Sequence, residues 1–219
     1  MLKKTLLIFI ACLLLLCTSA CQSALVRMDK LPWIREGQVI FKDDFSDATT
    51  GWETINNVYE LKGYSEEGYL VSVKMPDSRS WSTPGLKLMD VQVGISTQKF
   101  RGPDDTNYGL ICRYQDKNNF YNFLISSDGY FSIIRVQDGV ETILGFDQYA
   151  YSDVIKQVDS LNTILASCDG DDLALTVNGQ ELLSVKDDQF QSGDVGMILE
   201  TRTDGGASVI FKDFYVTKK

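Results

Sequence analysis

From Gln38 onward, apolar and polar residues alternate almost one for one, and helical spacing is nearly absent. Period-two alternation sends successive side chains to opposite faces of a strand. In Phe120–Ser126, Tyr121, Phe123 and Ile125 share one face, and Phe120, Asn122, Leu124 and Ser126 share the other. The first set is wholly apolar and is expected in the core. Further strands are expected over Val39–Phe45, Tyr59–Leu61, Tyr69–Val73, Met89–Ser96, Tyr108–Gln115, Tyr130–Val136 and Glu141–Phe146. Others are expected over Asn162–Cys168, Leu173–Val177, Gln180–Val185, Asp194–Leu199 and Ala207–Val216. Ser127-Asp128-Gly129, Asp138-Gly139, Asp169-Gly170-Asp171 and Asn178-Gly179 separate them, and Asp-Gly and Asn-Gly supply the positive φ of tight hairpins. Only Tyr151–Val158, opened by Ser152, reads as a helical turn. Many short strands joined by hairpins predict an all-β, two-sheet antiparallel β-sandwich of jelly-roll type. VIFKDDF at 39–45 echoes VIFKDFYV at 209–216, so the first and last strands are expected as neighbours in one sheet.

The first twenty residues follow other rules. Lys3 and Lys4 precede an apolar run to Leu16, and Thr18-Ser19-Ala20 leads into Cys21. This is the pattern of a secretory signal, too short to span a bilayer comfortably. A cysteine after three small residues resembles the lipobox of bacterial lipoproteins, which implies acylation of Cys21; an ordinary secretory peptide is the alternative. The lipobox usually has Leu three residues before the cysteine, where this chain has Thr18. The expected organisation is a lipoprotein signal over 1–20, a lipidated tether over 21–37 and one sandwich over 38–219. The expected location is the bacterial cell envelope, lipid-anchored on the extracytoplasmic face of a membrane.

Composition then excludes chemistry. The chain has no histidine, which removes His-based triads, His zinc sites and His acid–base catalysis. Loss of residues 1–20 takes away two lysines and no acids, moving the net charge from −9 to −11. An acidic surface repels phosphate backbones and anionic head groups, so nucleic acid is excluded and any membrane contact falls to the anchor. Cys112 and Cys168 remain as an even pair in an oxidising compartment, expected as a bridge rather than two buried thiols.

KDDFSD…GW, YGLICRYQDKNNFYNFLISSDGYFSI, CDGDDLALTVNGQEL and VIFKDFYV together resemble the concanavalin-A-like lectin/glucanase sandwiches. They are most similar to the laminin-G-like modules of bacterial surface lipoproteins, and the resemblance spans 39–217. It implies the fold more than the function, because lectins, hydrolases and adhesion modules share it. The retaining β-glucanases of this fold carry E-x-D-x-x-E on one strand, which places two carboxyls about 5 Å apart. No such run is present here. Hydrolysis in the manner of the 3-keto-disaccharide hydrolases stays open, with no acid or base identified.

Binding candidates come from the outer face of the middle strands. Alternation places Arg113 there beside Asn122, with Phe120 or Tyr130 as an aromatic platform and Trp81 on a nearby loop. Such a set suits shallow recognition of a glycan or cell-wall polysaccharide. A surface protein is the alternative partner. Asp43, Asp44 and Asp213 would converge if the terminal strands pair, and they are the candidate ligands of a structural calcium ion; the competing reading is a solvated acidic edge that discourages sheet-to-sheet association.

Overall fold

A computed structural model describes residues 37–219. The leader, Cys21 and the tether up to residue 36 lie outside the described residues. Among the described residues, sixteen strands form two antiparallel sheets.

The nine-stranded sheet holds β1 (Val39–Asp43), β2 (Ile55–Asn56), β3 (Glu60–Ser65), β4 (Gly68–Val73), β6 (Val91–Arg101), β12 (Asn162–Asp169), β13 (Asp172–Val177), β14 (Gln180–Lys186) and β16 (Ala207–Lys218). Their order is β14-β13-β12-β6-β16-β4-β3-β2. The long strand β16 pairs with β6 on one side; on the other its first half takes β4 and its second half takes β1. The expected pairing of the terminal strands is therefore present, with Phe41 opposite Val216 and Asp43 opposite Phe214.

The seven-stranded sheet runs β10 (Val140–Leu144), β9 (Tyr130–Gln137), β8 (Asn119–Ser126), β7 (Asn107–Asp116), β15 (Asp194–Glu200) and β5 (Arg79–Ser82), with β11 (Ala150–Tyr151) also on β9. Asn178-Gly179 and Asp138-Gly139 take positive φ, at 50° and 84° and at 51° and 79°, so the two tight hairpins form as expected. Two readings are corrected. No helix forms over 151–158; Ser152 accepts the Ile155 N–H through its carbonyl and the Val154 N–H through its hydroxyl, and the chain turns once. The segment around Trp81 is an edge strand rather than a loop, paired to β15 with Trp81 opposite Ile198.

The inward sets meet as one core between the sheets, including Tyr121, Phe123 and Ile125 with Ile164, Ala166, Leu173 and Leu175. Cys112 of β7 and Cys168 of β12 are joined by a disulfide, which ties one sheet to the other. At one end Trp52 closes the sandwich. Its indole N–H donates to Asp43 at 2.9 Å, and its rings lie among Phe41, Phe45, Tyr69 and Phe214.

Candidate functional site

The outer face of the seven-stranded sheet carries a second apolar cluster. Ile111, Phe120, Leu124, Ile134, Val136 and Ile198 pack there, each essentially inaccessible to water. An ordinary sheet face would expose them, so something must cover them. The cover begins with Arg79 of β5, whose guanidinium reaches Glu141 of β10 at 2.8 Å and lies 5.4 Å over the Phe120 ring.

Strands β5 and β10 are the two ends of that sheet's order. Five strand spacings would set them about 24 Å apart in a flat sheet, farther than an arginine and a glutamate together can span. The face is therefore strongly concave, and the Arg79–Glu141 bridge crosses its hollow. Trp81 and Tyr114 complete the cover, the Trp81 indole N–H donating to the Tyr114 hydroxyl at 3.2 Å and Tyr114 packing on Phe120.

Beside this roof the hollow stays open, with a volume of about 510 Å³. Its walls are polar and aromatic: Arg79 and Glu141, Asn107 of β7, Glu200 of β15, and Tyr149 and Arg202 from flanking loops. Asn107 donates to the Tyr149 hydroxyl at 3.1 Å, and the Arg202 guanidinium stacks 5.3 Å over the Tyr149 ring. From beneath the cleft, buried Asn122 donates to the Glu200 carboxyl at 3.1 Å, while its own carbonyl oxygen is buried without a hydrogen-bond partner among the described residues. A neighbouring hollow of about 370 Å³ shares Asn107, Tyr149 and Arg202 and adds Tyr130 and Asp128. The two form one cleft.

Burial pushes the Glu200 carboxyl up to about 7, with Glu141 adding to the shift and Arg79, Arg202 and a hydrogen bond from Asn107 opposing it. Burial also raises the Tyr149 hydroxyl well above its ordinary value. The Glu200 shift has a stability consequence. The folded chain keeps this proton to higher pH than the unfolded chain does, so stability falls as pH rises from about 4.5 to 7 and then levels off. Glu200→Gln is expected to flatten this fall and to gain about 2 kcal/mol at pH 8, a figure reduced for the water that reaches a partly exposed side chain. Melting curves at pH 5 and pH 8 check it, and equal pH dependence in the two proteins would refute it.

The expected site residues divide. Asn122 lies on the expected face but is fully buried beneath Glu200 and lines neither hollow, Tyr130 is on the rim at 42% exposure, and Trp81 is half-buried in the cover. Phe120 lies on the expected face but is fully buried under Arg79 and Tyr114, so it supports the floor and offers no open platform. Arg113 is a correction. It adopts φ 53° where the β7–β8 register shifts after Cys112, and this bulge turns it off the outer face. Its side chain is 1% exposed, donates to the Phe190 carbonyl at 2.7 Å and sits 3.6 Å from Asp90. It belongs to the end of the sandwich and not to the cleft.

The carboxylates proposed for calcium do not assemble a ligand set. Asp43, Asp44 and Asp213 line one hollow, yet both oxygens of Asp43 are occupied by the Phe45 N–H and the Trp52 indole, and Asp44 caps the Ser46 N–H. Among the described residues no group of three or more Asp, Glu, Cys or His is placed to hold a metal ion.

Sequence reasoning missed Arg79, Asn107, Glu141, Tyr149, Glu200 and Arg202. Two were within reach. Extending the alternation of Gly196 and Ile198 by one step gives Glu200, and extending Ile111 and Gly109 backward gives Asn107.

No family model matches the chain, and no curated protein matches it by sequence. Solved structures do. The carbohydrate-binding module CBM66 from Bacillus subtilis is similar with a TM-score of 0.62 at 15% identity, over 77% of this chain and 96% of that one. A protein of unknown function with a galectin-like fold, also from Bacillus subtilis, gives 0.59 at 11% identity over 84% and 97%. The β-glucanase of Bacillus licheniformis gives 0.59 at 12% identity over 84% and 100%. The fold is the two-sheet antiparallel jelly-roll sandwich that these structures share. At these identities the likeness concerns the fold alone.

Proposed function

We propose that the protein is a glycan-binding module that takes its ligand in the cleft of the seven-stranded sheet. One observation carries this reading: the open cleft joins hydrogen-bonding side chains to aromatic rings in a single concave surface. Asn107, Arg202 and Glu200 offer donors and acceptors to sugar hydroxyls, and Tyr149 and Tyr130 offer ring faces and edges. The similar structures named for carbohydrate binding and for glucanase activity support the same ligand class. In this reading Cys21 is acylated and holds the module on the extracytoplasmic face of a bacterial membrane.

Affinity electrophoresis of the full chain in non-ionic detergent tests the reading, through gels containing xylan, mixed-linkage β-glucan, levan or mannan. Asn107→Ala and Arg202→Ala are each expected to weaken retardation about tenfold, the size of one lost hydrogen bond to a charged or well-placed group. Unchanged retardation in both variants would remove the cleft from the account.

A second reading, hydrolysis, has one observation in its favour. Glu200, raised to about 7 beside Glu141, is a carboxylic acid that holds a proton near neutral pH, as a general acid must. Release of reducing ends by the wild type, abolished in Glu200→Gln, would establish catalysis. Binding without release would leave the module non-catalytic.

A further inference from the structure

We propose that the outer face of the nine-stranded sheet carries a second saccharide site, separate from the cleft and centred on Tyr215. The bulge in β16 creates it. Lys212 stands opposite Ser96 and Tyr215 opposite Gly94, so two residues of β16 face one of β6. Asp213 absorbs the extra length at φ 54°, a conformation that non-glycine residues rarely take. The bulge keeps Phe214 in the core and turns Tyr215 outward, where it is 39% exposed.

Gly94 fixes the ring. A Cβ at that position would lie 2.2 Å from Cζ and 2.5 Å from the hydroxyl of Tyr215, so the hydroxyl end of the ring rests on the bare Cα of β6. The tyrosine is thereby held against the sheet as a platform and does not swing freely in solvent.

Two hollows meet at this platform. One, of about 230 Å³, opens toward Ser96, Thr163 and Thr176; the other, of about 470 Å³, opens toward Lys42 and Thr50. Asp213 and Tyr215 line both. The Asp213 carboxylate makes no hydrogen bond or ion pair among the described residues. A held aromatic ring, a free carboxylate and a fringe of hydroxyls match the C–H face and vicinal hydroxyls of a sugar ring. Asp43, Asp44, Asp47 and Asp213 outnumber Lys42 in the lining of the larger hollow and disfavour anionic sugars, so the occupant is a neutral polysaccharide. Both hollows lie on the sheet opposite the cleft, and this site does not depend on the cleft being one.

The same four gels decide it, with a fifth containing polygalacturonate and with the cleft variant Asn107→Ala run beside Tyr215→Ala. On at least one neutral polysaccharide, Tyr215→Ala is expected to weaken retardation about tenfold, the scale of losing one aromatic stacking contact together with its buried area. Gly94→Ala, which displaces the ring from its seat, is expected to match that loss, and Tyr215→Phe is expected to restore most of it. Melting temperatures close to wild type confirm that these surface variants fold. Loss in Asn107→Ala alone would overturn the second site and keep the cleft. Loss in Tyr215→Ala alone would keep this site and overturn the cleft. Retardation by polygalacturonate only would overturn the assignment to neutral sugars, and retardation by none of the five would overturn both sites.

Discussion

The paired substitution Cys112→Ala and Cys168→Ala is expected to lower the unfolding free energy by about 4 kcal/mol in the chain-entropy account of a loop this long. The bridge spans a sequence separation of 56 and joins β7 of one sheet to β12 of the other. Unbridged, the denatured chain recovers the freedom that the loop forbids. Both sulfurs lie in the core, each 0% exposed, so alanine leaves little besides a small void and no stranded polar group. For a chain of this size the expected drop in melting temperature is about 10 °C relative to the oxidised wild type. The wild type in strong reductant should converge on the variant. A variant that melts within about 3 °C of the oxidised wild type would show that the two sulfurs are not joined in solution.

Trp52→Ala is the second large effect, at about 3–5 kcal/mol. The indole is 4% exposed and touches aromatic rings on β1, β4 and β16, with centroid separations of 6.2 Å to Phe41, 5.9 Å to Tyr69 and 5.1 Å to Phe214. Truncation opens a cavity at the end of the sandwich and leaves Asp43 short of one donor. Trp52→Phe separates the two contributions: it keeps most of the packing and loses the hydrogen bond, for an expected cost of about 1–3 kcal/mol. Chemical denaturation reads both. A loss under about 1 kcal/mol for Trp52→Ala would mean that the sandwich end closes without it.

The strands were legible where one face of a residue pair meets the core. In β8 the inward set Tyr121, Phe123 and Ile125 follows directly from alternation, and the hairpin at Asn178-Gly179 follows from turn chemistry. The short edge strand at Arg79–Ser82 was not legible, because Arg-Ser-Trp-Ser carries no apolar stripe and its partner is far away in sequence. Arg113 failed for a local reason. Alternation assumes an unbroken ladder, and a bulge after Cys112 reverses the side of every residue that follows until the register recovers. Phe120 failed for a tertiary one. Its face was read correctly, but sheet curvature brings Arg79 across from the far edge to cover it, and curvature leaves no mark on a single strand. The cleft residues Tyr149 and Arg202 reside on loops, whose positions are set by the ends of strands paired elsewhere.

Strand β16 lies in the middle of its sheet and simultaneously serves as partner to β6, β4 and β1. A ribosome delivers these strands from the amino end, so β1, β4 and β6 all emerge before the strand that unites them. Until Ala207–Lys218 arrives, three edges stay open and the nine-stranded sheet is divided into β14-β13-β12-β6, β4-β3-β2 and the lone strand β1. A nascent chain of this design keeps this sheet unfinished until β16 has emerged. Its folding waits on long-range contacts and is expected to be slow for its size.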